Sequence, residues 1–187
     1  MTSKTTTWTI DPAHAEIGFA VRHLMIATVR GRFGAASGTV TIDEQNPKDS
    51  KVDVTVDVNS IDTRQDMRDN HLRSADFFDV EHYPKMHFVS KRIEGDVNGE
   101  FRVIGDLTIR GVTREVTLAA RLEGRTRDPW GNERAGFSAT GKINRHEFGL
   151  NWNQALETGG VMVGDEVKLT IDVELVHQAA EKTAAAA

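Results

Sequence analysis

Hydrophobic and polar residues alternate along most of the chain, so the dominant period is two residues. The clearest run is Val52, Val54, Val56 and Val58, in which polar residues occupy the positions between the valines. Successive side chains of a strand point to opposite faces, so this run predicts a strand with one buried face. The same alternation recurs at Ile17-Phe19-Val21, Val40-Ile42, Phe101-Val103, Val116-Leu118-Ala120-Leu122, Phe137-Ala139 and Val167-Leu169-Ile171-Val173-Leu175. The pattern is typical of an all-β protein.

The connections between these segments predict tight reversals. Asn98-Gly99 lies between two alternating segments, and this dipeptide favours a type I′ hairpin turn with positive φ at both residues. Arg110-Gly111-Val112-Thr113 and residues 128–132 predict the next two turns. Four strands over residues 86–143 then form an antiparallel meander. Closure of such a meander into a barrel removes its exposed edges, so we expect a closed barrel.

One segment, residues 63–78, departs from the alternation. Thr63 followed by Asp66 resembles a capping box, and Met67, His71 and Leu72 fall at helical spacing. The segment predicts a short helix over one opening of the barrel. Tyr83-Pro84 ends it and returns the chain to strand.

The 187 residues contain no linker and no repeat, which indicates a single domain over residues 8–177. Residues 1–7 and 178–187 are predicted to be flexible tails. The net charge of -5, without a cluster of Lys and Arg, argues against nucleic acid as a partner. No segment approaches the ~20 apolar residues of a membrane span, and no apolar core of a signal peptide is present. We therefore expect a cytoplasmic protein that does not span a membrane.

The sequence shows no motif for covalent or phosphate chemistry. It has no Cys, no Gly-x-Ser-x-Gly elbow and no glycine-rich phosphate loop. His71, His82 and His87 are candidate metal ligands, but they fall on a predicted helix, loop and strand. No catalytic residue, metal or cofactor is predicted. A small-molecule or metal-dependent enzyme that uses His, Asp or Glu groups in the barrel stays open as the alternative.

Residues 144–164 form a long connection with polar groups at its start. Such a connection is usually functional or closes an opening. The favoured interpretation is a plug of the barrel in which Arg145 pairs with a carboxylate, and direct contact of Arg145 with a ligand is the second interpretation.

Several short motifs stand in the order found in one family. The chain resembles the YceI-like family from about Trp8 to Val176 through Trp8-Thr9-Ile10-Asp11-Pro12-Ala13-His14, Gly31-x-Phe33, Ile61-Asp62-Thr63, Arg68-Asp69-x-His71-Leu72, Phe77-Phe78-Asp79, Tyr83-Pro84, Gly105-x-Leu107-Thr108-Ile109-x-Gly111-Val112-Thr113, Ile143-Asn144-Arg145, Phe148-Gly149 and Val163-Gly164-Asp165. The resemblance implies an extended lipocalin-like barrel of eight antiparallel strands with an apolar tunnel for a polyisoprenoid or another long-chain lipid.

On this hypothesis the protein is a lipid carrier or store rather than an enzyme, and a homodimer is possible. Aromatic residues make up only 6% of the chain, and the inward positions are predicted to be mostly Val, Ala and Gly, so we expect a partly empty tunnel. Head-group contacts are expected from His14, His71 and Arg145, with His23 a further polar tip. The expected ligand-binding residues are Phe19, Val21, His23, Val40, Val54, Val56, Val58, Phe88, Val103, Leu107, Leu118, Phe137, Leu169 and Ile171.

Overall fold

The structure, a computed structural model, describes residues 5–178 and is built of strands with one α-helix. The strands are β1 (Thr5–His23), β2 (Ala27–Phe33), β3 (Ala36–Asp43), β4 (Lys51–Asp57), β5 (Ile61–Asp62), β6 (Lys85–Gly95), β7 (Glu100–Ile109), β8 (Val112–Arg127), β9 (Glu133–Asn144) and β10 (Val163–Gln178). The helix is α1 (Asp66–Arg73), and short 3₁₀ turns lie at Pro47–Asp49, Val58–Ser60 and Arg145–Phe148.

The sheet closes on itself. Its order is β10-β9-β8-β7-β6-β4-β3-β1, and β1 pairs again with β10, which gives an antiparallel barrel of eight strands. The long strand β1 makes three contacts: its first half pairs with β3, its second half with β2, and both halves with β10. The expected closed, lipocalin-like all-β barrel and the meander over β6–β9 are confirmed.

The first strand begins before the predicted domain of residues 8–177, and the last strand ends one residue after it. Thr5 to Thr7 belong to β1, and Gln178 pairs with Thr7 at the end of β10, so these residues are not tails. Residues 1–4 and 179–187, the rest of the predicted tails, lie outside the described residues.

The turns follow the expected positions but not the expected geometry. Asn98 and Gly99 lie in the four-residue loop 96–99, and neither has a positive φ, so the predicted type I′ turn is wrong there. The positive φ at this reversal, +108°, belongs to Gly95, the last residue of β6. Asp96 instead accepts a hydrogen bond from the Asn98 amide at 3.0 Å. Arg110 and Gly111 have φ values of 50° and 73°, so the two-residue turn with two positive φ values joins β7 to β8.

The helix begins without the predicted capping box, because its N-cap residue, Gln65, makes no side-chain hydrogen bond. Asp69, a residue of the helix, instead binds the segment that precedes it. Its Oδ1 accepts hydrogen bonds from the Thr63 amide at 2.9 Å and from the Thr63 hydroxyl at 2.5 Å. Both Thr63 and Asp69 are buried. Leu72 faces the barrel, whereas Met67 is 83% exposed, so Met67 does not share the buried face as expected.

The two ends of the barrel differ. We call the end that carries α1 and residues 145–152 the helix end, and the end that carries residues 44–50, 96–99 and 128–132 the turn end. A buried cluster closes the helix end: Phe33, Ala36, Val56, Val58, Ile61, Phe77, Met86, Ile109, Phe148 and Leu150. Two smaller clusters pack near the turn end: Trp8, Ile10, Ile42, Ala135 and Leu175, and Ile93, Phe101, Val103 and Ala120.

Close approach of strands β3 and β4 requires glycine at position 38. A Cβ built on Gly38 would lie 2.2 Å from the Asp53 carbonyl oxygen, which is backbone and cannot rotate away. We expect Gly38→Ala to lower the free energy of unfolding by about 1–3 kcal/mol, because the two strands must move apart. Chemical denaturation measures this change. Gly124→Ala is the matched control, since a Cβ at Gly124 meets no atom within 4 Å; equal stability of the two variants would contradict the account.

Candidate functional site

An apolar cavity of about 300 Å³ runs along the inside of the barrel. It extends from Val21 and Val163 at the helix end to Val97 and Arg125 at the turn end. Its volume is at the lower limit of the range typical of small-molecule sites, about 300–1,000 Å³. Most of the residues expected to bind ligand line it: Phe19, Val21, Val40, Val54, Val56, Phe88, Val103, Leu107, Leu118, Phe137, Leu169 and Ile171.

The burial of the inward side chains shows where the hollow lies. Side chains in the end clusters are buried, whereas inward side chains between the ends are only half-buried. Half-buried members of this middle zone are Val54, Phe88, Leu107, Val116, Leu118, Phe137, Ala139, Leu169, Ile171 and Val173. Because these side chains line the cavity, their accessible surface faces the hollow. The barrel is therefore packed at its ends and unfilled in its middle.

The lining is more aromatic than the composition suggested. All eight Phe residues of the chain line the cavity, so the expectation of an interior made mostly of Val, Ala and Gly is wrong. Several rings pair with one another: Phe19 and Phe33 at 5.5 Å between centroids, and Phe101 and Phe137 at 6.1 Å. Such ring pairs add to the packing of the wall beyond the area that they bury.

Two residues expected to bind ligand do not line the cavity. His23 lies at the last pair of β1, opposite Ala27 and Val163, after a register shift from Val21. Val58 lies in a 3₁₀ turn and packs in the buried cluster at the helix end.

The expected head-group residues are placed elsewhere as well. His14 is on the outer side of β1, with Nδ1 3.0 Å from Asp11 Oδ2. His71 pairs with Asp76 at 2.8 Å, and its ring stacks edge-on against Trp152 and Phe77, which separate it from the cavity. Neither His14 nor His71 lines the hollow.

Arg145 reaches the cavity wall, but its guanidinium is bound to the protein's own backbone. Its guanidinium donates to the carbonyl oxygens of Leu150 at 2.6 Å, Trp152 at 2.8 Å, Gly164 at 2.8 Å and Val163 at 3.2 Å. The nearest carboxylate is Asp165, at 3.9 Å, so the predicted plug exists but backbone carbonyls, rather than a carboxylate, hold it. Burial lowers the pKa of Arg145. The side chain closes the helix end.

The three histidines considered as metal ligands do not converge. His71, His82 and His87 pair separately with Asp76, Asp79 and Asp53 on different elements. Within the described residues, the cavity lining includes His87 but no carboxylate side chain, and His87 bonds Asp53 on the outer face at 2.7 Å.

A different cluster, not predicted, forms at an irregularity in β1. Between Ile10 and Ala15, β1 advances five residues while β10 advances two, so the segment with Asp11 and His14 bulges outward. Oxygens and nitrogens of Asp11, His14 and Glu174 lie within 4.8 Å of one another. The Arg134 guanidinium bonds both Asp11 and Glu174, so it supplies the positive charge that these carboxylates need. Arg134 also donates to Asp128 at 2.8 Å and so ties the β8–β9 turn to the β1–β10 seam.

This arrangement shifts the pKa values of its members. Hydrogen bonds from His14, Arg134 and the Ala13 amide lower the pKa of Asp11 to about 2. Burial raises the pKa of Asp128, but hydrogen bonds from Arg134, Asn132 and Trp130 outweigh it, so the pKa lies well below its usual range. Hydrogen bonds to Asp128, Asp11 and Glu174 raise the pKa of Arg134. The cluster is a structural clamp at neutral pH.

Arg125 also lines the cavity, although the sequence did not predict it as a site residue. Val116, Leu118 and Ala120 of β8 line the cavity and Leu122 pairs with the lining residue Phe137, but β8 has one extra residue between Leu122 and Gly124 relative to β9. This bulge shifts the alternation by one, so Arg125 pairs with buried Ala135 and points inward. Its guanidinium lies 5.9 Å from the Trp8 ring centroid and 3.9 Å from Glu44.

The fold and the cavity together define a class: a lipocalin-like antiparallel barrel that encloses an apolar site. A match to the YceI-like domain covers residues 8–175, and the chain belongs to that family. A UPF0312 protein of Staphylococcus aureus strain USA300 is 40% identical over 170 residues, which are 90% of this chain and 96% of the relative.

Solved structures share the architecture. A YceI protein of Campylobacter jejuni is 34% identical, with a TM-score of 0.71 over 84% of this chain and 90% of that protein. BcnA of Burkholderia cenocepacia has a TM-score of 0.76 at 24% identity, over 88% of this chain and 98% of its own. A polyisoprenoid binding domain of Saccharophagus degradans has a TM-score of 0.64 at 16% identity, over 92% and 99%. The last two show the fold alone.

The helix-end plug depends on Arg145. We expect Arg145→Met to lower the free energy of unfolding by about 3 kcal/mol or more, because it leaves buried carbonyl oxygens without donors. Urea denaturation measures the loss. Arg114→Met is the control, since Arg114 is exposed. A stability equal to that of the control variant would contradict the structural role of Arg145.

The clamp at Asp11 predicts an acid-sensitive contribution to stability. The folded-state pKa of about 2 lies below the unfolded value of about 3.9, so the contribution is present above pH 4 and is lost as the pH falls toward 2. We expect Asp11→Asn to lower stability by about 1–2 kcal/mol at pH 7 and by less near pH 2. Thermal unfolding between pH 2 and 7 measures this. A pH-independent difference from the unaltered protein would refute the clamp.

Proposed function

We propose that this protein binds a long-chain isoprenoid or a similar lipid in its cavity, as a carrier or a store. The observation that carries the proposal is the unfilled middle of the barrel, where apolar side chains that face inward remain half-buried. Polar ligands find few partners there, because the wall between the ends is made of Val, Leu, Ile, Ala and Phe side chains. An apolar chain that fills the hollow removes this surface from water.

The comparisons support a lipid as the ligand class. The domain of Saccharophagus degradans that shares this fold is described as binding polyisoprenoid. We extend this ligand class to the present chain, which shares the fold of that domain. The hollow is elongated, with lining residues from Val21 to Arg125, which suits an unbranched or prenyl chain better than a compact ring system.

Burial of an apolar chain supplies enough free energy for binding. Burial of about ten methylene-like groups contributes roughly 8 kcal/mol, from about 0.8 kcal/mol each. Loss of translational and internal freedom removes part of this gain. Affinity therefore comes from apolar area, and the length of the hollow limits the length of the chain.

A cavity-filling variant tests the proposal. Ala139 points into the hollow, between Ile171 on β10 and Ala120 on β8. We expect Ala139→Phe to occupy the space and to lower the affinity for geranylgeraniol about tenfold or more, as measured by titration calorimetry or by the shift in Tm on addition of the lipid.

The matched control is Thr140→Phe. Thr140 is the next residue of β9 and is exposed, so the same ring is added outside the barrel. We expect it to bind geranylgeraniol like the unaltered protein. No binding by the unaltered protein, or equal binding by all three proteins, would contradict the proposed site.

Assembly and location are separate parts of the proposal. No helix among residues 5–178 is long and apolar enough to cross a membrane. The cytoplasmic location and the homodimer stay predictions. Sedimentation velocity checks the homodimer: a dimer at micromolar concentration would support it, and a strictly monomeric profile would contradict it.

A further inference from the structure

We propose that Arg125 binds an anionic head group, a phosphate or a carboxylate, of the lipid whose chain occupies the cavity. This inference rests on the proposed function and adds the chemical class of the ligand and its direction. The head lies at the turn end, beside Arg125, and the chain runs toward Val21 and Val163 at the helix end.

The placement of Arg125 carries the argument. Of the lining residues that the structure describes, only Arg125 and His87 are exposed to solvent. The side chain of His87 lies outside the barrel on Asp53, so Arg125 is the exposed residue that faces inward. The guanidinium therefore lies where the lining of the hollow meets the solvent. A lipid that enters here can keep its head in water while its chain is buried.

The Arg125 guanidinium makes no hydrogen bond to any residue of the range 5–178. In the described part of the chain, no acceptor lies within hydrogen-bonding distance of its guanidinium, and Glu44 lies 3.9 Å away. Arg145, the other arginine at the wall, donates to four carbonyl groups. A guanidinium presents five N–H groups in a fork that matches phosphate and carboxylate oxygens. Arg125 is thus the wall cation that has donors for a ligand.

Neighbouring groups hold the guanidinium in position. Its carbon lies 5.9 Å from the centroid of the Trp8 ring, and Trp8 is 3% exposed and fixed by a hydrogen bond from Nε1 to Thr6 at 2.9 Å. Ser50, buried at the same end, also lines the cavity, and its hydroxyl accepts from the Asp43 amide at 3.1 Å. The Ser50 hydroxyl proton provides a second donor near the head.

The charge of the protein also affects how it distinguishes anionic from neutral lipids. The protein carries a net charge of -5, so an anionic ligand is repelled at long range and needs a local cation. Glu44 partly neutralises Arg125 in the free protein. We therefore expect Glu44→Gln to strengthen the binding of an anionic lipid, in the opposite direction to the removal of Arg125.

The experiment compares two probes that share one chain. Geranylgeranyl phosphate carries the anionic head, and geranylgeraniol carries a neutral hydroxyl. We expect the unaltered protein to prefer the phosphate, and Arg125→Met to weaken phosphate binding about tenfold or more while it changes binding of the alcohol less than about threefold. Glu44→Gln should tighten phosphate binding only. The preference should fall as salt rises, because the mouth is open to solvent.

Arg121→Met is the matched control. Arg121 lies on the same strand as Arg125 and pairs with Glu123 on the outer face at 3.0 Å. The substitution therefore removes the same charge as Arg125→Met but leaves the turn end of the cavity unchanged. One result would overturn the head-group site and leave the proposed function standing. In that result the unaltered protein binds both probes, and Arg125→Met and Arg121→Met bind geranylgeranyl phosphate with the same affinity. Failure of the unaltered protein to bind either probe would overturn both.

Discussion

Pairing of the first strand with the last holds this molecule together. The β1–β10 seam runs from Thr7 opposite Gln178 to His23 opposite Val163, and without it the sheet would be open and its apolar face exposed. Arg134 reinforces the seam where β1 bulges, by joining Asp11, Glu174 and the turn residue Asp128. Enclosure of a dry interior follows from this closure.

Closure alone does not create a site, because a barrel of eight strands has an interior that side chains can fill. Here the large buried residues are concentrated at the ends. Phe148, Ile61 and Phe77 pack at the helix end, and Trp8 and Leu175 pack at the turn end. The middle wall keeps accessible surface as a result, and the same packing that stabilises the ends preserves the hollow between them.

The sequence was sufficient for the fold but not for the polar groups of the site. Alternation predicted the strands and most lining residues, because a regular strand maps residue parity onto barrel face, as for Leu118 and Leu169. It missed Arg125, because one extra residue in β8 reverses that parity locally. The role of Arg145 was only half predicted: closure of an end followed from the sequence, but its carbonyl partners come from the folded loop. His14 and His71 sit in motifs that build the scaffold.

The central claim is that the barrel contains a dry apolar hollow in its middle zone. Crystals of the protein pressurised with xenon test it most directly, because xenon enters apolar cavities and gives strong density. In the ligand-free protein, the account predicts xenon between Leu118, Phe137 and Leu169. In protein that already holds a long-chain lipid, it predicts lipid density there and no xenon. A middle zone packed with side chains, or filled by hydrogen-bonded water, would contradict the account.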